Sequence, residues 1–273
     1  MRRTSLDQRS KELRKKIVDV LYHAGRGHIG PSMSLVEILR VLYDSVLEFD
    51  SSVIDYAQRD RFILSKGHGC LALYVLLQEN GFITNDELFS FCAYDGLVGG
   101  HPTAKIPGVE FATGSLGHGL SLAVGIVAAL RIDGSKSRVI VVLGDGECGE
   151  GSVWEAAMSA SRQKLGALTV VVDYNKLQSY GCTEKISGLE PLAEKWRSFG
   201  FSTQEVDGHD VNALENVFRE LPFETDKPSA IICHTVKGKG IPFAENNPLW
   251  HHKTKMSNED YALMIKSIEE YDA

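Results

Sequence analysis

The sequence predicts an α/β fold: an open, mainly parallel sheet with helices on both faces. Three observations carry this. The runs "RVIVVLG", "ALTVVVDYN" and "SAIICHTVKG" are continuously apolar rather than alternating, as strands buried on both faces must be. Each run is separated from the next by a segment of helical period, which calls for crossovers between parallel strands. No linker, repeat or low-complexity stretch interrupts the pattern, so residues 1–273 read as a single domain ending in a helix.

Taken in order, Ser5 is expected to open a helix running to Ala24, with Leu6, Leu13, Ile17 and Leu21 on one face. Ser34 is expected to cap a second helix, "SLVEILRVLYDSVL". "RFILS" is a short strand, and "CLALYVLLQENG" a helix stopped by Gly81. Thr84 starts another, "TNDELFSFCA". Residues 95–115 are rich in Gly and Pro and read as loop. Residues 116–132 form a nearly all-apolar helix and so are expected to be buried. Strict alternation follows: "RVIVVLG", the helix "SVWEAAMSASRQ", "ALTVVVDYN", the helix "LAEKWRSFG", the strand "FSTQEVDG", the helix "DVNALENVFREL", and "SAIICHTVKG". "NEDYALMIKSIEEYD" closes the chain as a helix.

Composition narrows the function classes. With 43% hydrophobic and 24% charged residues the chain can build a large core and is not of disordered type. A net charge of −7 argues against a nucleic-acid partner. "MRRTSLDQRSKELRKK" has no apolar stretch behind its arginines and does not read as a signal peptide. The longest apolar run, residues 120–130, is too short to cross a bilayer and contains Ser121, so no membrane is expected. Five dispersed cysteines without a C-x-x-C pair read as reduced thiols in a cytoplasmic protein. Cys148 reads as a small filler.

In an open parallel sheet, ligands sit outside the carboxyl ends of the strands. Asp145 and Asn175 fall there on consecutive strands, about thirty residues apart, room for one right-handed crossover. Their oxygens can then converge. Gly144 and Gly146 flank Asp145 and allow close backbone approach by a bulky ligand. A carboxylate alone would repel a phosphate; a hard cation between them removes the conflict. Asp145, Asn175 and a neighbouring main-chain carbonyl, that of Leu177, therefore read as a clamp tying Mg²⁺ to a diphosphate.

"GDGECGEGSVWEA…DYNK" resembles the thiamine-diphosphate fingerprint. In order along the chain, "GRGHIGPSMS", "FILSKGHG", "GGHPT", "IPGVEFATGSLGHGLSLAVG" and "HTVKGKGIPFAENNPLWHH" are similar to blocks of the N-terminal half of transketolase, over residues 5–253. The resemblance implies the thiamine diphosphate-binding fold in its diphosphate-binding form, with thiamine diphosphate and Mg²⁺ as cofactors, Ca²⁺ or Mn²⁺ being possible substitutes. It implies transfer of a two-carbon ketol unit from a ketose phosphate donor to an aldose phosphate acceptor, as in the pentose phosphate pathway.

The same resemblance assigns roles. His28, His101 and His251 are expected at the donor's hydroxyls and His68 beside the diphosphate; His252 adjoins His251 and could take its place. Imidazoles in loops on a rigid scaffold suit such work. Gly114 and Leu116 should lie against the cofactor. His118, where the family often has Gln, should neighbour the diphosphate. Glu150 reads either as a helix-start carboxylate favoured by the macrodipole or, by resemblance, as a buried acid at a subunit interface linking two active sites. Asp173, Lys237 and Lys239 read as loop charges, although a lysine near a diphosphate would help neutralise it. His23, His209 and His234 read as structural.

In this family a pyrimidine-binding domain supplies the glutamate that activates the cofactor, and no second α/β unit is legible here. The pyrimidine-binding and C-terminal domains are therefore expected on a partner chain, in an α₂β₂ heterotetramer. Two other readings stay open: a specialised enzyme of the same kind acting on a branched or sulfonated sugar, and a non-catalytic cofactor-binding paralogue. A nicotinamide dehydrogenase is disfavoured, since no G-x-G-x-x-G follows an early strand.

Overall fold

The computed structural model describes residues 4–53, 58–179 and 181–271. Strands β1 (Arg61–Leu64), β2 (Val139–Gly144), β3 (Leu168–Tyr174), β4 (Ser202–Asp207) and β5 (Ser229–His234) pair in parallel in the order β1-β2-β3-β5-β4. β2 and β3 are buried along their whole length. The mixed composition of β4, "STQEVD", fits its half-exposed place at the sheet edge.

Before the central strands come helices α1 (Gln8–Ala24), α2 (Gly30–Met33), α3 (Val36–Val41), α4 (Cys70–Glu79), α5 (Asn85–Phe89) and α6 (His118–Ile132). α7 (Gly151–Arg162) joins β2 to β3. α8 (Thr183–Ser187) and α9 (Leu192–Ser198) precede β4, α10 (Val211–Arg219) precedes β5, and α11 (Asn258–Glu269) closes the chain. Side chains alternate between the two faces of each strand. Ile140 and Val142 therefore enter one core with α1, α3, α4, α10 and α11, while Val139, Val141 and Leu143 enter the other with α6, α7 and α9. Both faces of the sheet are covered, as the continuous apolar runs require. No helix among the described residues is long and apolar enough to cross a membrane.

Three local expectations are corrected. α1 starts at Gln8, capped by Asp7 rather than Ser5: the Asp7 carboxylate accepts from Ser10 N at 2.8 Å and also pairs with Arg40. The helix expected from Ser34 begins only at Val36, as α3, and widens into a π-turn at Leu42–Val46; the short α2, with Pro31 in its first turn, precedes it. Ser34 is the C-cap of α2 and not the N-cap of α3; its hydroxyl donates to Asp173 Oδ2 at 2.7 Å. α6 is buried on one face only, through Leu120, Ala123, Val124 and Val127, while Ser121, Gly125 and Ala129 face outward and Ile132 is 85% exposed.

Candidate active site

Pairing of Gly144 with Asp173 brings the ends of β2 and β3 side by side, and Asp145 and Asn175 follow directly. Both are buried. Asp145 Oδ1 accepts from Gly146 N at 2.9 Å and Oδ2 from Lys176 N at 2.6 Å. Asn175 Oδ1 accepts from Leu177 N at 3.1 Å, and its Nδ2 donates to Asp173 Oδ2 at 3.2 Å. Burial, and then the neighbouring Asp173, push the Asp145 carboxyl up to about 7.

A cleft of about 140 Å³ opens here. His68, Leu116, Gly144, Asp145, Gly146, Glu150, Asn175, Leu177 and His251 all line it, so most of the residues expected at the cofactor come together. The lining also holds Lys66 and Lys237. Lys237 is buried, and its ammonium donates to the carbonyls of Leu177 at 3.2 Å and Gln178 at 3.3 Å. Burial, then Lys66 close by, bring it down to about 8. Asp173, Lys237 and Lys239 are thus interior residues rather than solvated loop charges.

The histidine loops converge beside this cleft. The His28 ring centroid lies 5.5 Å from His68, 5.9 Å from His101, 5.2 Å from His251 and 4.5 Å from His252. Both members of the His251–His252 pair therefore face His28. The isolated antiparallel bridge between Gly27 and Lys253 explains the shortest distance, because it sets residues 28 and 252 opposite each other on one face. Burial lowers each of these rings: His28 to about 4 and His251 to about 3, with His68, His101 and His252 also depressed. At neutral pH they are uncharged, each with one donor and one acceptor nitrogen. His251 Nδ1 is buried without a hydrogen-bond partner. Gly114 (φ 136°) passes so close to His101 that a Cβ there would stand 2.8 Å from the ring.

Gly114, like His118, is absent from the cleft lining, and Glu150 lines it without being buried. The exposed His118 ring turns to Ser115 Oγ and the Leu116 carbonyl, each at 3.3 Å, while Gly117 N and Gly119 N on either side of it are bonded to Glu147 and Ser65. Glu150, the N-cap of α7, lies exposed at the cleft edge and is not buried within this chain. The buried acid of that loop is Glu147, which the sequence reading missed. It accepts from Gly117 N at 2.8 Å, Gly144 N at 3.0 Å and the Ser65 hydroxyl, and burial raises its carboxyl. His209, by contrast, is structural as expected: it bonds Glu37 and Val236 N, both at 2.8 Å. A larger hollow of about 420 Å³ lies across the Asn175–Leu177 segment, lined in part by Thr4, Asp207, His209 and Lys239. These four are bonded among themselves or to their neighbours, and we read the hollow as packing.

Residues 7–268 match the family model of the transketolase thiamine diphosphate-binding domain. The chain belongs to the transketolase family. Among its relatives, one of the subunits of an apulose-4-phosphate transketolase from Phocaeicola vulgatus is 37% identical, covering 97% of this chain and 94% of that one. A 6-deoxy-6-sulfo-D-fructose transketolase subunit of Clostridium sp. is 35% identical, covering 98% of each. The solved transketolase of Leishmania mexicana superposes with a TM-score of 0.84 at 27% identity, over 96% of this chain but only 44% of that one. This transketolase-family chain therefore spans the length of its subunit-type relatives and less than half of a solved transketolase chain.

Proposed function

We propose that this chain is the cofactor-anchoring, N-terminal subunit of a two-chain transketolase, inactive without its partner. The observation that carries the reading is the convergence of Asp145 and Asn175 on a lysine-flanked cleft that continues into a cluster of neutral histidines.

The residues fit thiamine diphosphate with a divalent ion. Carboxylate, carboxamide and the Leu177 carbonyl are hard oxygen donors, suited to Mg²⁺ shared with substrate-type phosphates. Among the described residues no three His, Cys, Asp or Glu side chains gather into a metal cage, so a diphosphate would have to supply ligands. Asp145, a buried acid beside a second acid, favours a cation at its side. Lys237, Lys66, His68 and the partnerless Nδ1 of His251 are placed to meet a polyanion. When bound, the cofactor supplies the carbanion-stabilising chemistry of ketol transfer. His28, His101, His251 and His252 would hold the ketose and aldose hydroxyls and pass protons at those oxygens. Leu116 would lie against the cofactor rings, and Glu150 would face the partner from the rim.

Leu116 and Glu150, both exposed, line the edge of the cleft that a pyrimidine-binding partner would cover, in an α₂β₂ assembly, and the outward face of α6, with Ile132, offers further surface to it. The relatives that act on apulose 4-phosphate and on a sulfonated fructose favour a second reading, a specialised sugar substrate. A non-catalytic paralogue is disfavoured by the intact histidine cluster.

Co-purification with the partner, then assay against simple, branched and sulfonated ketose donors, tests the proposal. The isolated chain should show no ketol transfer and the complex should show it. Turnover by the chain free of partner would overturn the split assignment.

A further inference from the structure

A carboxamide has two ends of nearly the same shape, one accepting and one donating. A metal-facing asparagine is useful only if its oxygen is the end presented. We infer that Asp173 is a positioning residue that sets the orientation of the Asn175 carboxamide, with Lys66 holding Asp173 in place. This rests on the functional reading above and deepens it.

Asp173 is fully buried and absent from the cleft lining, so it acts through its neighbours and not on a ligand. Its Oδ2 accepts from Asn175 Nδ2 at 3.2 Å. An ionised carboxylate can only accept, which draws the amide nitrogen inward. At the other end the Leu177 N–H can only donate, and it meets Asn175 Oδ1 at 3.1 Å. Both neighbours select the same orientation, and the amide oxygen keeps a second lone pair free. The reversed amide would set oxygen against carboxylate and NH₂ against N–H.

Asp173 is itself held: the Lys66 ammonium and the hydroxyls of Thr235 and Ser34 all donate to its carboxylate. These donors come from three separate places: the loop after β1, the residue after β5 and the turn between α2 and α3. A buried ion pair contributes little net stability, since desolvation offsets the attraction. A role in orienting a ligand group accounts for its presence better than stability does.

The experiment is a Mg²⁺ titration of thiamine diphosphate binding to the complex, followed by calorimetry. Asp173→Asn should raise the Mg²⁺ needed for half-saturation by about 10- to 100-fold, the range for residues that orient metal ligands. Ser34→Ala, which removes one Asp173 partner without touching the amide, should shift it by no more than about twofold. Asp173→Asn/Asn175→Asp should recover most of the loss, because a carboxylate at 175 offers oxygen at either end. An unchanged Mg²⁺ requirement in Asp173→Asn, or a folded double variant with no recovery, overturns the inference. If Asp173→Asn does not fold, a crystal of the wild-type complex with Mn²⁺ and cofactor decides. Asn175 Nδ2 within hydrogen-bond reach of Asp173, with its oxygen on the ion, supports the inference; an amide turned away from Asp173 sinks it. Absence of any Mg²⁺-dependent binding to the wild type would instead overturn the functional reading itself.

Discussion

The floor of the cleft and its rim are built in opposite ways. On the floor, Asp145, Glu147, Asn175, Lys66 and Lys237 are all buried, as is Asp173 beneath them. Their polar atoms are tied to strand ends and to one another. At the rim, Glu150 is exposed and Leu116 is 37% exposed; beyond it His118 is exposed and, farther along α6, Ile132 is 85% exposed. The contrast indicates that this chain completes the half of a pocket that grips a charged tail and leaves the other half open. Buried polar networks cost free energy unless every member is satisfied, so the floor must form with the fold. Exposed apolar and acidic groups at the rim carry no such demand and are available to a second chain.

The largest effect expected on the floor is that of Asp145→Ala. It should reduce Mg²⁺-dependent thiamine diphosphate affinity by about 100-fold or more, beyond the range for outer residues, with a circular dichroism spectrum like that of the wild type. Next, His28→Ala or His252→Ala in the complex should lower kcat/KM for the ketose by about 10- to 100-fold, the loss of one or two buried hydrogen bonds. Cofactor affinity should stay unchanged. A drop in cofactor binding with no change in KM would place these rings on the floor instead.

Glu147→Ala leaves two backbone N–H groups and a hydroxyl without their acceptor, and should cost about 2–4 kcal/mol of stability by thermal denaturation. Glu150→Ala, three residues on, should leave stability within about 0.5 kcal/mol and lower turnover of the complex only. Equal destabilisation by the two would erase the distinction between floor and rim. Smaller still is the pH effect. His28 and His251 have folded-state values depressed to about 4 and about 3 from an ordinary 6.5. Their contribution to stability is therefore present above pH 6.5 and is lost as pH falls through the folded values, since the unfolded chain takes up protons first. His28→Asn should flatten the thermal stability profile between pH 6.5 and about 4.

Much of this was legible in the sequence, for physical reasons. Continuous runs such as "VIVVLG" report burial on both faces, and a strand end is a fixed place in a parallel sheet, so Asp145 and Asn175 could be set side by side. The glycine-framed histidines lie in loops where only binding demands such residues. Hidden, by contrast, was the Lys66–Asp173 pair, whose members are 107 residues apart and meet only across the sheet. "GDGECGEG" offers two acids, and nothing in the string says that Glu147 turns inward while Glu150 caps α7 in solvent. Ser34 has a cap's composition, but Pro31 and the pull of Asp173 use its hydroxyl elsewhere. α6 is mostly apolar, which reads as burial within one chain and cannot distinguish it from burial against another.

The central claim is that a divalent ion joins Asp145 and Asn175 to a diphosphate on this chain's strand ends. Thiamine diphosphate bound to the complex should be measured before and after addition of a chelator, in the wild type and in Asp145→Ala. The account predicts that chelation releases the cofactor from the wild type and that the variant holds little in either condition. Equal retention by both proteins, with or without the metal, would contradict it.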